Sequence, residues 1–401
     1  MQKIKVIFLA IFFIFVVSSG AIAAPDIAGE AFILIDAQSG QILDGKNYDV
    51  QLHPASTTKI LTTILALEKG KLTDKVTVSK NAPAAEGTKV YLREGETVTL
   101  EQLLNAVMVH SANDAAVAIA EHIGGSVEAF VELMNEKAKE IGAKNTKFVN
   151  THGLTNEEHL TTAYDLAMIS RYAMQNPQFR ELAAKKVYDW EGLEWQTRLI
   201  NKNKFLWRMQ EATGIKPGYT SQAKYTLAAS AEKNGQELIC VILGSSENRI
   251  WDDAKALLEY GFTDFRNINI TENNNIVATL QIDEEKEVNL ATTRAANFVV
   301  ANNEQIKLET KVVLKDFSFP IHKGDILGEL KVMINGEEAE SIPLQSLEEI
   351  KKPIVWHRIV INLLAATFLL QIAVRLYRRW RKRRRKYLYR STGRRINTYR
   401  F

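Results

Sequence analysis

Ser56 and Lys59 stand three residues apart in His53-Pro54-Ala55-Ser56-Thr57-Thr58-Lys59, and this pair could do chemistry. A serine hydroxyl is a weak nucleophile until a neighbouring base takes its proton. A lysine is that base only if burial or a second cation lowers its pKa toward working pH. On the first turn of a helix, residues i and i+3 share a face, so the two heads can meet. The helix N-terminus adds unpaired backbone N–H groups that can steady a developing oxyanion. Ser-x-x-Lys alone is common, and most copies are a capping serine beside a solvated lysine; its companions decide the meaning.

The required helix is legible. Pro54 suits a helix start, where a missing N–H costs little. Ile60, Leu61, Ile64, Leu65 and Leu67 recur at helical spacing, and Gly70 is a natural stop. Two further polar clusters punctuate apolar elements. His110-Ser111-Ala112-Asn113 breaks two helical runs, 100–108 and 114–123, the second closed by Gly124-Gly125. Lys216-Pro217-Gly218-Tyr219 lies in a strand-like stretch, 213–220, joined by a polar loop to a second, 225–230. Taken without the others, Ser111 and Asn113 read as helix-capping residues and Lys216 as a solvated strand lysine.

The remaining elements frame these clusters. Residues 31–36 and 41–43 flank Ser39-Gly40 as strand, turn and strand. Residues 88–96 read as a loop or short strand pair, 127–141 as a helix ended by Gly142, and 161–174 as a helix stopped by Asn176-Pro177. The run 237–243 reads as a buried strand holding Cys240, the single cysteine, so no internal disulfide can form. A closing helix covers 251–260. Strands at both ends with helices between predict an α+β domain over 26–266. Beyond it, 288–300, 306–314 and 326–334 alternate or run apolar, and Asn335-Gly336 signals a hairpin. A small β domain over 267–348 follows.

The ends have a different texture. Residues 1–23 read as a signal peptide: Lys3 and Lys5, an apolar run over 6–17, then Ala21-Ile22-Ala23. An uncleaved N-terminal anchor is the alternative. Residues 354–376 form an apolar stretch of span length, with a surface-lying helix as the alternative. From Arg375 onward come thirteen Lys and Arg and no acid, a basic tail over 377–401 that reads as the cytoplasmic flank. The net charge of +4 therefore hides an asymmetry. Setting aside the sixteen basic residues at the two ends leaves 35 against 47 acids, about −12 for the exported part. Anionic lipid headgroups suit the tail better than nucleic acid does. No histidine spacing suggests a metal site, and His152 and His159 read as polar loop surface.

Ser56-Thr57-Thr58-Lys59, Ser111-Ala112-Asn113 and Lys216-Pro217-Gly218 resemble, in order, the Ser-x-x-Lys, Ser-Asp-Asn and Lys-Thr-Gly set of class A β-lactamases and penicillin-binding proteins. With Pro54-Ala55, His152-Gly153-Leu154 and 215–220, the chain resembles the low-molecular-weight penicillin-binding proteins, the serine D-alanyl-D-alanine carboxypeptidases. Residues 321–330 resemble that family's C-terminal β domain. The resemblance implies an α+β transpeptidase-like domain (an antiparallel sheet with helices), then a small all-β domain and a C-terminal membrane helix. It implies an acyl-enzyme on Ser56 with Lys59 as base, and Ser111 passing a proton to the leaving amine. Asn113 would hold the peptide amide and Lys59, Lys216 the terminal carboxylate, and the Ser56 and Tyr219 N–H groups the oxyanion, with Gly218 between. The implied partners are peptidoglycan stem peptides ending in D-Ala-D-Ala, β-lactams as covalent inhibitors, and the membrane, with neither cofactor nor metal. The catalytic domain would face the extracytoplasmic side.

Two other readings share this fold. A β-lactamase needs a glutamate to activate its deacylating water, and Glu157-Glu158-His159-Leu160-Thr161 does not fit that family's Glu-x-x-Leu-Asn loop. A protein that binds stem peptides with little turnover is kept open by Pro217, which stands where the family has threonine.

Overall fold

The computed structural model describes residues 24–282, 286–351 and 356–392, with side chains of the last helix described over 360–383. The signal-peptide reading and residues 393–401 of the basic tail lie outside the described residues.

Strand β1 (Ala31–Asp36) is buried at all six positions because its two faces serve two cores. Ala31, Ile33 and Ile35 pack on one side, Phe32 and Leu34 on the other. Strand residues alternate faces, so a sheet covered on both sides reads as an unbroken apolar run. β1 pairs with β2 (Ile42–Lys46). A 3-10 turn, Ala55–Thr58, then feeds α1 (Lys59–Lys69). The chain continues through β3 (Lys75–Thr77), α2 (Asn81–Ala84) and β4 (Thr97–Thr99) to α3 (Leu100–Asn105). Thr99 and Gln102 form a capping box at the start of α3. A π turn, Ala106–His110, leads to α4 (Asn113–Gly124) and α5 (Val127–Ile141). Next come α6 (Ala163–Met174), α7 (Pro177–Ala184), the hairpin β5 (Val187–Glu191) and β6 (Gln196–Ile200), and α8 (Phe205–Arg208).

Strands β7 (Ala212–Thr220), β8 (Lys224–Lys233) and β9 (Gln236–Ser245) complete an antiparallel sheet in the order β2-β1-β9-β8-β7. Helix α9 (Glu247–Asp264) covers one face through Ile250, Trp251, Ala254, Leu257 and Leu258, packed with Cys240 and Ile242. The larger core on the other face takes α1, α3, α4 and α6, with Ile239, Val241 and Leu243 from β9. β7 is thereby left as an edge strand beside the 3-10 turn that carries Ser56.

The C-terminal region is a second β unit. β10 (Phe265–Thr271) pairs with β13 (Ala296–Ala301). β11 (Ile276–Gln281), β12 (Glu287–Thr292), β14 (Leu308–Leu314), β15 (Ile326–Ile334) and β16 (Glu337–Ser346) form a sheet in the order β11-β12-β16-β15-β14. Its core centres on Leu280, Val288, Leu290, Val332, Ile342 and Leu344. Gln41 ties the two units, its amide donating to Val299 O (2.7 Å) and accepting from Val299 N (3.0 Å). Helix α10 (Trp356–Thr392) runs without a break into the basic block, and its segment Val360–Arg383 is long and apolar enough to cross a membrane.

Candidate active site

Ser56 and Lys59 meet as their spacing requires: Lys59 Nζ donates to Ser56 Oγ at 3.0 Å. The same nitrogen donates to His152 O at 2.7 Å, a carbonyl 93 positions away. Lys59 is fully buried at the start of α1, and its pKa is lowered well below the ordinary lysine value. Burial is the largest cause, followed by the charges of Lys216 and then Lys202, while Asp114 opposes the shift. A lysine in these surroundings favours its neutral form, the form that can take a proton.

The second and third clusters converge on the same spot. Ser111 sits at the end of the π turn in a left-handed conformation, φ 66°. Its Oγ is buried and makes no hydrogen bond among the described residues. Leaving a buried hydroxyl unpaired costs free energy, so Ser111 Oγ keeps its hydrogen-bonding capacity open. Asn113 opens α4 and is held twice, its N–H donating to Thr88 O (2.7 Å) and its Nδ2 to Glu86 O (2.6 Å). Asn113 thus holds the 86–88 loop rather than Lys59; the expected tie to Lys59 is made by the His152 carbonyl instead.

Lys216 is fully buried in β7, its pKa pushed down to about 7 by burial and then by the charge of Lys202. Pro217 does not interrupt the strand: Lys216, Pro217, Gly218 and Tyr219 pair in continuous register with Ala228, Leu227, Thr226 and Tyr225. At Gly218 a side chain is impossible. A Cβ there would lie 2.6 Å from Ser56 N and 2.6 Å from Thr226 Oγ1. The strand backbone therefore lies directly against the Ser56 amide, a closeness that only glycine allows.

A cleft of about 710 Å³ opens over this cluster, lined by Ser56, Ser111, Lys216, Pro217, Gly218 and Tyr219 among others. Lys202, which the sequence did not single out, lines it as well, donating to Thr88 Oγ1 at 3.0 Å. Its own pKa is lowered by burial. The one carboxylate in the lining, Glu247, is engaged by Lys204 at 2.9 Å. Glu158 instead pairs with Lys147 at the surface (2.6 Å), Glu157 is exposed, and neither lines the cleft.

His159 is not polar surface: it is buried, and Val149 N donates to its Nδ1 (3.1 Å). Its Nε2 therefore carries the proton and donates to Thr58 Oγ1 at 2.8 Å. His159 so ties the 147–161 loop, which carries the His152 carbonyl, to the turn that carries Ser56. Among the described residues no His, Cys, Asp and Glu group could hold a metal ion.

Similarity to known proteins agrees with this geometry. Residues 19–247 match the D-alanyl-D-alanine carboxypeptidase family, and residues 265–352 match the penicillin-binding protein 5 C-terminal domain. The chain is 34% identical to D-alanyl-D-alanine carboxypeptidase DacF of Bacillus subtilis, covering 80% of this chain and 85% of that one. It is 32% identical to D-alanyl-D-alanine carboxypeptidase DacC of Escherichia coli, covering 82% and 86%. The solved structure of penicillin binding protein 5 from Haemophilus influenzae superposes with a TM-score of 0.72 at 28% identity, covering 83% of this chain and 100% of that one. The chain belongs to the D-alanyl-D-alanine carboxypeptidase family, the S11 peptidases.

Proposed function

We propose that this protein is a serine-type D-alanyl-D-alanine carboxypeptidase that trims the terminal D-alanine from peptidoglycan stem peptides. The 3.0 Å contact between a fully buried Lys59 and Ser56 carries the reading. Neutral Lys59 takes the Ser56 proton as Oγ bonds to the carbonyl carbon of the penultimate D-alanine. The tetrahedral oxyanion accepts from the Ser56 and Tyr219 N–H groups. The C–N bond then breaks, Ser111 passing a proton to the departing amine while Lys216 holds its carboxylate and Asn113 the peptide amide. Water hydrolyses the resulting ester and frees Ser56. A β-lactam, as a cyclic amide, would acylate the same oxygen.

The test pairs fluorescent-penicillin labelling with D-alanine release. Ser56→Ala should lose both, and labelling that persists would put the nucleophile elsewhere. Pro217 favours a second reading, a stem-peptide binder of low turnover. Penicillin labelling without D-alanine release would support that one. We further propose that 360–383 anchors the protein, with the catalytic domain outside and the basic end inside, which the charge block beside the apolar stretch supports.

A further inference from the structure

Tyr91 is exposed (59%) yet adopts a left-handed conformation, φ 59°, which is costly for a bulky side chain. A buried carboxylate enforces it. Asp114 accepts from Val90 N and Leu92 N, each at 3.1 Å, gripping the backbone on both sides of Tyr91. The fold thus accepts a strained residue and a buried carboxylate to hold one aromatic ring out in solvent. That ring meets Trp195 edge-on, with centroids 5.3 Å apart at 89°. Trp195 in turn lies 5.7 Å from the ring of His110, the residue before Ser111. An aromatic file therefore runs outward from the catalytic cluster to a second cavity of about 410 Å³, walled by Tyr91, Leu92 and Trp195. At its rim Arg93 and Glu194 pair at 3.0 Å.

We propose that the Tyr91–Trp195 corner is a saccharide subsite, taking a pyranose ring of the glycan strand from which the stem peptide hangs. This rests on the carboxypeptidase reading, which makes a glycan-borne peptide the substrate. A pyranose presents an apolar C–H face and a hydroxyl edge. Two rings at a right angle supply an apolar wall for the first. The Arg93–Glu194 pair supplies donors and acceptors side by side for the second, and Lys89, which also lines the cavity, donates to Pro83 O at 2.8 Å. A peptide of four or five extended residues spans ~13–18 Å, so with its terminus at Ser56 the sugar lies well away from the reacting serine.

The experiment needs no turnover. A peptide-free β-1,4-linked N-acetylglucosamine tetramer is titrated calorimetrically into the full-length protein in detergent. Wild type should bind it weakly, and Tyr91→Gly should bind at least about tenfold more weakly. Glycine occupies positive φ without strain, so this variant removes the ring while its melting temperature should not fall. A second arm compares D-alanine release from a free pentapeptide and from a glycan-linked one; Tyr91→Gly should lower the glycan-linked to free ratio of kcat/KM several-fold. No binding by wild type, or equal binding by the variant, would overturn the subsite. Absence of D-alanine release from both substrates would count against the carboxypeptidase reading, and the titration would still decide the saccharide site.

Discussion

Lys59 and Lys216 are both fully buried, and neither forms an ion pair among the described residues. Burying an unpaired ammonium destabilises a fold, so these two lysines work against stability. For Lys216 the native pKa of about 7 lies below the unfolded value of about 10.4. Between those values the unfolded chain holds a proton that the native form lacks, so stability rises with pH across that window and is least below it. The melting temperature should climb from pH 7 to pH 10, and Lys216→Met should raise it more at pH 6 than at pH 10. On the proposed roles, kcat/KM should rise with pH as Lys59 loses its proton, then decline as Lys216 loses its charge, near pH 7 in the free enzyme. A rate still climbing at pH 10 would remove Lys59 as the base. Pro217 offers a second test. Its strand is unbroken, so Pro217→Thr should restore a hydroxyl without changing the fold. One hydrogen bond to a charged group contributes ~1.5–3 kcal/mol, so kcat/KM should rise roughly ten- to a hundredfold with little change in melting temperature. These side chains were legible because their types and order carry chemistry. Lys202 was not, since a single lysine between Asn201 and Asn203 has no periodic or chemical signature.

The turn holding Ser56 depends on a neighbour chosen for its smallness. Gly153 has φ 92°, and a Cβ there would sit 1.8 Å from Ala55 O. Gly153→Ala must push aside the peptide that carries Ser56 N and disturb the adjacent His152 carbonyl on Lys59. We expect a loss of ~1–3 kcal/mol in stability and penicillin acylation slower by roughly tenfold or more. Acylation at the wild-type rate would show that the turn tolerates displacement. Periodicity exposed most elements around this contact, because amphipathic helices and doubly covered strands repeat a clear pattern. It missed α7, where Asn176-Pro177 reads as a stop to α6. The same pair is a strong start: Asn176 caps Gln178 N and Phe179 N, and proline fills the first helical position. The hairpin β5–β6 was missed as well, since Trp190 and Leu199 are its only buried residues and charged neighbours blur the alternation. The Lys59–His152 contact links residues 93 apart, a separation no local pattern encodes.

As a whole the molecule is two packed units on a long helix. α10 has 37 residues, about 55 Å at 1.5 Å per residue. A hydrocarbon core of about 30 Å would take up little more than half of that length, leaving the rest of the helix to run on as the basic block. Protease added outside intact cells should remove the catalytic and β units and leave a protected fragment containing that block. Digestion of the basic end from outside would instead favour a helix lying on the surface. The long apolar C-terminal helix was visible in the sequence because charge and hydropathy separate cleanly there. The bounds of the β unit were harder to read: β10 follows α9 directly at Phe265, with no linker composition to mark the join.

Cys240 lies at the centre of β9, its thiol fully buried and its pKa pushed up to about 12 by that burial. In the folded state it is inert to oxidants, and with no second cysteine it has no partner within the chain. Unfolding removes the burial and with it the raised pKa, and the exposed thiol can then bond only to another molecule. Under air, heat inactivation should therefore become a one-way process whose extent grows with protein concentration, a matter of rate rather than of equilibrium. Heated and cooled samples should show disulfide-linked dimers and poor recovery of penicillin binding. Reductant, or Cys240→Ala, should restore recovery; equal recovery with and without reductant would locate the irreversible step elsewhere.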